Sequence, residues 1–390
     1  MNSQSVLQKY RPMIVVYSPY PETHACAAIR IIAPLVTNNY KIIWGAKRVD
    51  SNWSFDLESA YAADLIIIQR HFPAVHTEKF LDKLLKSNVP IAYEMDDMLL
   101  ELPSYHPGYE VYKRHAPYIK WILRTADLVI VSTCNLRDSS IKYTTCPIQL
   151  QPNLVNWSLF NAPPKPHNNI FTFLISGTAS HEGDWSIIEE PLLNILNIYP
   201  EKVRAIFFGD LPEKFSKHPL VQVIKFQDGY EQYADTLKKL NVNCALVPLE
   251  DTSFNNCKSN IKWLEYSAAG IPGIYSNTAT YSSSISHGET GLLVDNTADA
   301  WFQAMNHLIN NPEIALDMVK NARTQVRNKH SVESSSGDYD KFIYRIVGQP
   351  HERNFFSELS ILPTRLKEQS KACLVSCLNK HLLWRFNQNN

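Results

Sequence analysis

The feature that most constrains this chain is a doubled alternation of short apolar runs with amphipathic stretches, broken once by a cluster of prolines. The runs at 13–17, 41–44, 65–68, 89–93 and 128–131 are rich in Val and Ile. They are too short for helices and apolar without alternation, which suits strands buried on both faces of a parallel sheet. Segments 25–35 and 77–86 between them predict helices. A second series predicts strands at 171–175, 205–208, 221–224 and 244–247, with helices at 187–198, 230–240, 261–269 and 299–310. Pro163, Pro164 and Pro166 separate the two series, and prolines spaced so closely forbid regular structure. The expected fold class is α/β: a doubly wound parallel-sheet domain over 1–155, a Pro-rich linker over 156–169 and a second such domain over 170–336. Sheets of this kind bind ligands outside the carboxyl ends of their strands, so the cleft between the domains is the expected site.

Charge and cysteine usage narrow the partners. Lys+Arg 38 against Asp+Glu 38 gives a net charge of zero, which removes the positive field that nonspecific nucleic-acid binding requires. No nucleic-acid partner is expected. The cysteines at 26, 134, 146, 244, 257, 373 and 377 are scattered with no C-x-x-C pair, which is neither a disulfide framework nor a zinc site. A reducing, cytoplasmic location is expected, with membrane contact only from the surface, since no apolar run approaches the ~18 residues of a span. Residues 337–390 are expected to form a helical tail packing back on the body. Within it Leu366, Leu374, Leu378 and Leu382 interleave with Lys367, Lys371, Lys380 and Arg385, a basic amphipathic pattern that also suits peripheral membrane contact.

The chemistry concentrates in residues 255–272. This stretch follows the strand expected at 244–247, so its polar loop lies at a carboxyl end, where Ser259 or Asn256 can cap the next helix. Free amides at that helix start form an anion site. Lys258, Lys262 and Glu265 fall at i, i+4 and i+7. On one helical stripe they would set two cations near a phosphate and a carboxylate one turn deeper, able to accept from two ribose hydroxyls. The same stripe also suits a solvated face or an internal ion pair, and spacing alone does not choose.

Residues 265–274, containing Ala268-Ala269-Gly270-Ile271-Pro272, are followed by His287-Gly288-Glu289-Thr290-Gly291-Leu292-Leu293-Val294. This combination resembles the C-terminal signature of GT-B glycosyltransferases of the family 4 type, the glycosyl transferases group 1. Residues 93–99, 126–133, 151–153 and 176–184 resemble further landmarks of one branch of that family, so the resemblance runs from about 13 to about 344. It implies a GT-B fold of two Rossmann-like domains. It also implies transfer of a sugar from a nucleotide-diphosphate donor to a glycan or lipid-linked glycan acceptor, with retention and with no cofactor or metal. Under this resemblance Glu265 holds the ribose, while Lys258, Lys262 and His181 offset charge on the diphosphate. Gly177, Thr178, Asn256 and Ser259 complete the donor site. Asp96 and Asp97 serve the acceptor hydroxyl or a developing oxocarbenium ion. Arg30 and Arg70 are the basic residues expected on the acceptor side of the cleft.

Two departures from the family pattern matter. Eight positions before Glu265, where a first glutamate is usual, stands Cys257. The usual G-R-x-x-x-K-G loop is replaced by Gly177-Thr178 and His181, which leaves Lys258 and Lys262 as the nearest cations for the phosphates. Asp96-Asp97 also resembles a metal-binding D-x-D motif, a reading set aside because adjacent carboxylates after a strand are expected to point to opposite sides. Capping the next segment or pairing with Arg70 competes with the catalytic role. A non-catalytic nucleotide-sugar- or glycan-binding protein on the same scaffold is the alternative. A nicotinamide-dependent dehydrogenase is excluded, because Ser18-Pro19-Tyr20-Pro21 stands where G-x-G-x-x-G would follow the first strand.

Overall fold

The computed structural model describes residues 11–49, 52–166 and 169–347. The basic amphipathic helix expected at 366–386, with its membrane alternative, lies outside the described residues. The N-terminal half contains β1 (Met13–Tyr17), β2 (Lys41–Trp44), β3 (Ala46–Val49), β4 (Asn52–Phe55), β5 (Leu65–Gln69), β6 (Ile91–Met95), β7 (Leu128–Val131) and β8 (Ile148–Leu150). Its main sheet runs β2-β1-β5-β6-β7-β8, all parallel, while β3 and β4 form a separate antiparallel hairpin. Every residue of β5 and β6 is buried, as strands covered on both faces must be.

The pleat sends alternate residues to the two covering layers. Val15 and Tyr17 pack with Leu81 and Leu84 of helix Glu78–Leu85 and with Trp121 and Ile122 of helix Tyr109–Thr125. Ile14 and Val16 pack on the other face with Ala27, Ile31 and Leu35. The helix expected at 25–35 is real but irregular, running as Ala25–Ala27, a π-helical turn Ala28–Ile32 and then Ala33–Thr37. Pro34 has no amide to give the carbonyl of Arg30, and a widened turn accommodates the missing bond.

The C-terminal half contains β9 (Phe171–Gly177), β10 (Val203–Gly209), β11 (Val221–Ile224), β12 (Cys244–Val247), β13 (Gly273–Ser276) and β14 (Leu292–Val294). Their order is β11-β10-β9-β12-β13-β14, again all parallel. Strand order therefore reverses between β1 and β5 in one sheet and between β9 and β12 in the other, the positions where such sheets open a crevice. Helix Val332–Val347 runs without a break through the boundary expected at 336/337 and returns to the N-terminal domain. There Tyr339, Phe342 and Ile343 join Ile14, Val16 and Leu35, and the Tyr40 hydroxyl donates to Asp340 Oδ1 at 2.7 Å. No described helix is long and apolar enough to cross a membrane.

Candidate active site

A cleft of about 430 Å³ opens between the carboxyl ends of the two sheets, bordered by Asp96, Asp97, Gly177, Thr178, His181, Lys258, Ser259, Lys262 and Glu265. Lys262 and Glu265 lie on helix Ile261–Ala268. Lys258 precedes that helix, in the turn after the short helix Ser253–Asn256, so the expected single stripe is built from two elements that converge on one cavity.

Glu265 is buried, with the Tyr230 hydroxyl donating to Oε1 at 2.7 Å and the Tyr233 hydroxyl to Oε2 at 3.1 Å. Burial pushes its pKa up to about 7, against the two tyrosine bonds and the charge of Lys262, which favour the carboxylate. Lys262 donates to the Ser176 carbonyl at 2.5 Å, and burial lowers its pKa to about 8. The Lys258 ammonium lies 5.1 Å over the ring of Phe254.

His181 follows β9 in the turn that leads to helix Glu182–Ile198, and its Nδ1 lies 2.7 Å from Asp184 Oδ2. Burial, then the charge of Lys262, lowers its pKa to about 4. Burial alone would raise Asp184, but the bond to His181 and the charge of Lys258 bring it below the usual carboxylate value. Gly177 is required beside this ring, because a Cβ there would meet His181 Cδ2 at 2.8 Å and Trp185 Cζ2 at 3.1 Å.

On the opposite wall, Asp96 and Asp97 both bind Arg70 Nη1, the latter at 2.9 Å. The expectation that adjacent carboxylates diverge is corrected here: β6 ends at Met95, the backbone bends, and the pleat that would have alternated them has stopped. Arg70 adopts φ 50°, with its carbonyl accepting from the Tyr93 hydroxyl at 2.8 Å, and sits buried behind the two aspartates instead of lining the cleft. Arg30 does not reach the cleft either. Its Nε binds Glu94 Oε1 at 2.6 Å, and its Nη1 donates to the Gln151 carbonyl at 2.6 Å and to Asn153 Oδ1 at 2.7 Å. Among the described residues no group of three His, Cys, Asp or Glu side chains is placed to hold a metal.

Residues 221–325 match the family model described as glycosyl transferases group 1, a stretch that includes Lys258, Lys262 and Glu265. The chain has the GT-B fold, and its C-terminal domain carries a glycosyl transferases group 1 segment. Sucrose-phosphate synthase from Thermosynechococcus elongatus superposes with a TM-score of 0.63 at 16% identity, over 87% of this chain and 100% of that one. Anabaena HepE in complex with UDP-glucose gives a TM-score of 0.62 at 13% identity, over 86% and 100%. A glycosyltransferase from Rickettsia africae gives 0.56 at 13% identity, over 86% and 99%. At these identities the likeness is one of fold. No curated protein sequence matches the chain significantly.

In this GT-B chain the segment before helix Ile261–Ala268 is gripped by the N-terminal domain. Phe254 and Cys257 pack into the N-terminal core. Thr133 Oγ1 donates to the Cys257 carbonyl at 2.9 Å, Asn135 Nδ2 to the Asn256 carbonyl at 2.8 Å, and Asn153 Nδ2 to Ser259 Oγ at 2.6 Å. Cys257 is therefore buried between domains and does not line the cleft. Asn256 is also turned away from the cavity, its Nδ2 donating to Asp251 Oδ1 at 2.7 Å. Neither Asn256 nor Ser259 caps the helix: Asn260 holds the N-cap position, without a side-chain bond. Sequence reasoning missed Tyr230 and Tyr233, which reach Glu265 only through tertiary packing. Asp184 closes the 176–184 resemblance but was given no role there, although it stands three residues after His181.

Proposed function

We propose that the cleft binds a nucleotide-diphosphate sugar and transfers its sugar, with retention and without a metal, to a glycan or lipid-linked glycan acceptor. The observation that carries this reading is the convergence of Lys258, Lys262 and Glu265 on one cavity from two separate elements. Glu265 accepts from the ribose hydroxyls. Lys258 and Lys262 offset the charge that develops on the departing diphosphate, the largest electrostatic demand of the reaction. Asp96 and Asp97 face the donor from the other wall, where they orient the acceptor hydroxyl or stabilise positive charge on the sugar. HepE structures hold UDP and UDP-glucose, which supports a donor of this class. All five described cysteines are free, which suits a cytoplasmic location. A lipid-linked acceptor would be met at the membrane surface.

The test is to incubate the protein with UDP-, GDP- and ADP-sugars without acceptor and to measure nucleoside diphosphate release. Slow release from one class, lost in Lys262→Met, is expected. Binding without any release supports the non-catalytic alternative, for which the cysteine at position 257 is the motive.

A further inference from the structure

Asp184 is almost wholly buried, and its Oδ1 accepts from the Glu250 amide at 2.8 Å and from Asn255 Nδ2 at 3.2 Å. Two donors on one oxygen hold it as a carboxylate, so Oδ2, 2.7 Å from His181 Nδ1, is an acceptor only. The proton of a neutral His181 ring must then sit on Nδ1, and Nε2 carries a bare lone pair. In that state the ring cannot donate to a phosphate, which is the role expected of it. The charged groups facing it are Lys262 from helix Ile261–Ala268, Lys258 from the loop before that helix, and Asp184 from its own helix. Burial and the two ammonium groups keep the nucleotide-free ring neutral. A diphosphate laid against both lysines reverses the balance, because its negative charge favours a cationic ring.

We propose that His181 meets the donor's diphosphate as an imidazolium, taking up one proton at Nε2 as the nucleotide binds, and that Asp184 is the positioning residue that fixes Nδ1–H and aims Nε2. This rests on the reading of the cleft as a nucleotide-sugar site. The proton comes from solvent. It is shared as a hydrogen bond with a diphosphate oxygen while the glycosidic bond to that diphosphate breaks, and it returns to solvent when the nucleoside diphosphate leaves. Asn255, which donates to Asp184, sits on the short helix Ser253–Asn256 next to Phe254, whose ring packs into the N-terminal core.

The experiment uses protein labelled with ¹⁵N-histidine, and whichever of UDP, GDP and ADP gives the largest thermal shift. Two-bond ¹H–¹⁵N correlation at neutral pH reads the ring directly, with the His181 signals identified by their loss in His181→Gln. The expected result is a neutral ring protonated at Nδ1 in the free protein and a ring protonated at both nitrogens at saturation. Calorimetry in buffers of different ionisation enthalpy should show proton uptake that falls by at least half in His181→Gln and in Asp184→Asn, both still binding. A ring that stays neutral with nucleotide bound overturns the proposal. Failure of all three nucleotides to bind is a different result and overturns the donor reading beneath it. Should Asp184→Asn not fold, the wild-type spectrum and His181→Gln decide.

Discussion

Tyr230 places its hydroxyl 2.7 Å from Glu265 Oε1, and Tyr233 covers the other oxygen at 3.1 Å. The carboxylate proposed to hold the ribose is thus fixed in place and desolvated. Each carboxylate oxygen retains a second acceptor site for a ribose hydroxyl.

Glu265→Gln should weaken donor binding by ~1–3 kcal/mol, the worth of charge-assisted hydrogen bonds. The same change should stabilise the fold in a pH-dependent way. With a folded pKa raised to about 7 from the ordinary 4.5, the native state keeps a proton that the unfolded chain releases. The wild type therefore loses stability as pH rises from about 4.5 through 7, by about 3 kcal/mol at most, while the glutamine does not titrate. Thermal denaturation should show the variant's advantage widening between pH 5 and pH 8. Parallel curves would mean that Glu265 is not strained by burial.

Gly177→Ala should lower nucleotide affinity about tenfold with little change in Tm, equivalent to ~1.4 kcal/mol. The new methyl group would push the His181 ring, which Asp184 holds, out of its place. Unchanged affinity by calorimetry would remove that ring from the donor site.

Arg70→Met should cost ~3 kcal/mol or more of stability by chemical denaturation, because it leaves Asp96 and Asp97 facing each other without their common cation. Asp97→Asn should cost less than ~1 kcal/mol, since its partly exposed carboxylate is screened and Asp96 keeps the guanidinium, yet it should lower the transfer rate. Equal losses of stability in the two variants would reduce Asp97 to a structural role.

Nucleotide-sugar turnover should survive EDTA, since Lys258 and Lys262 are assigned the charge on the diphosphate. Complete loss that Mg²⁺ or Mn²⁺ restores would overturn that assignment.

Most of the buried strands were legible because each is a short apolar run whose length admits little else, whereas β8, β13 and β14, three or four residues each, were not expected as strands. Residues 13–17, 41–44, 221–224 and 244–247 form strands where the apolar runs put them. The hairpin of β3 and β4 escaped notice because Lys47, Arg48 and Asn52 are exposed and carry no apolar run. Helix Tyr109–Thr125 was hidden by Pro117 and by a polar, aromatic first half. In the site, Lys258, Lys262 and Glu265 were singled out by spacing together with the family resemblance, although not the change of element between the first and the second. The pairing of Arg70 with Asp96 and Asp97, and of Arg30 with Glu94, joins residues on different strands and helices, and such contacts exist only once the sheet has formed.

The most direct test of the donor site is the crystal structure of the protein with its preferred nucleoside diphosphate. The phosphates are expected within hydrogen-bonding distance of Lys258, Lys262 and His181, with the ribose hydroxyls on Glu265. A nucleotide bound elsewhere, or bound in the cleft with its ribose turned away from Glu265, would contradict the account.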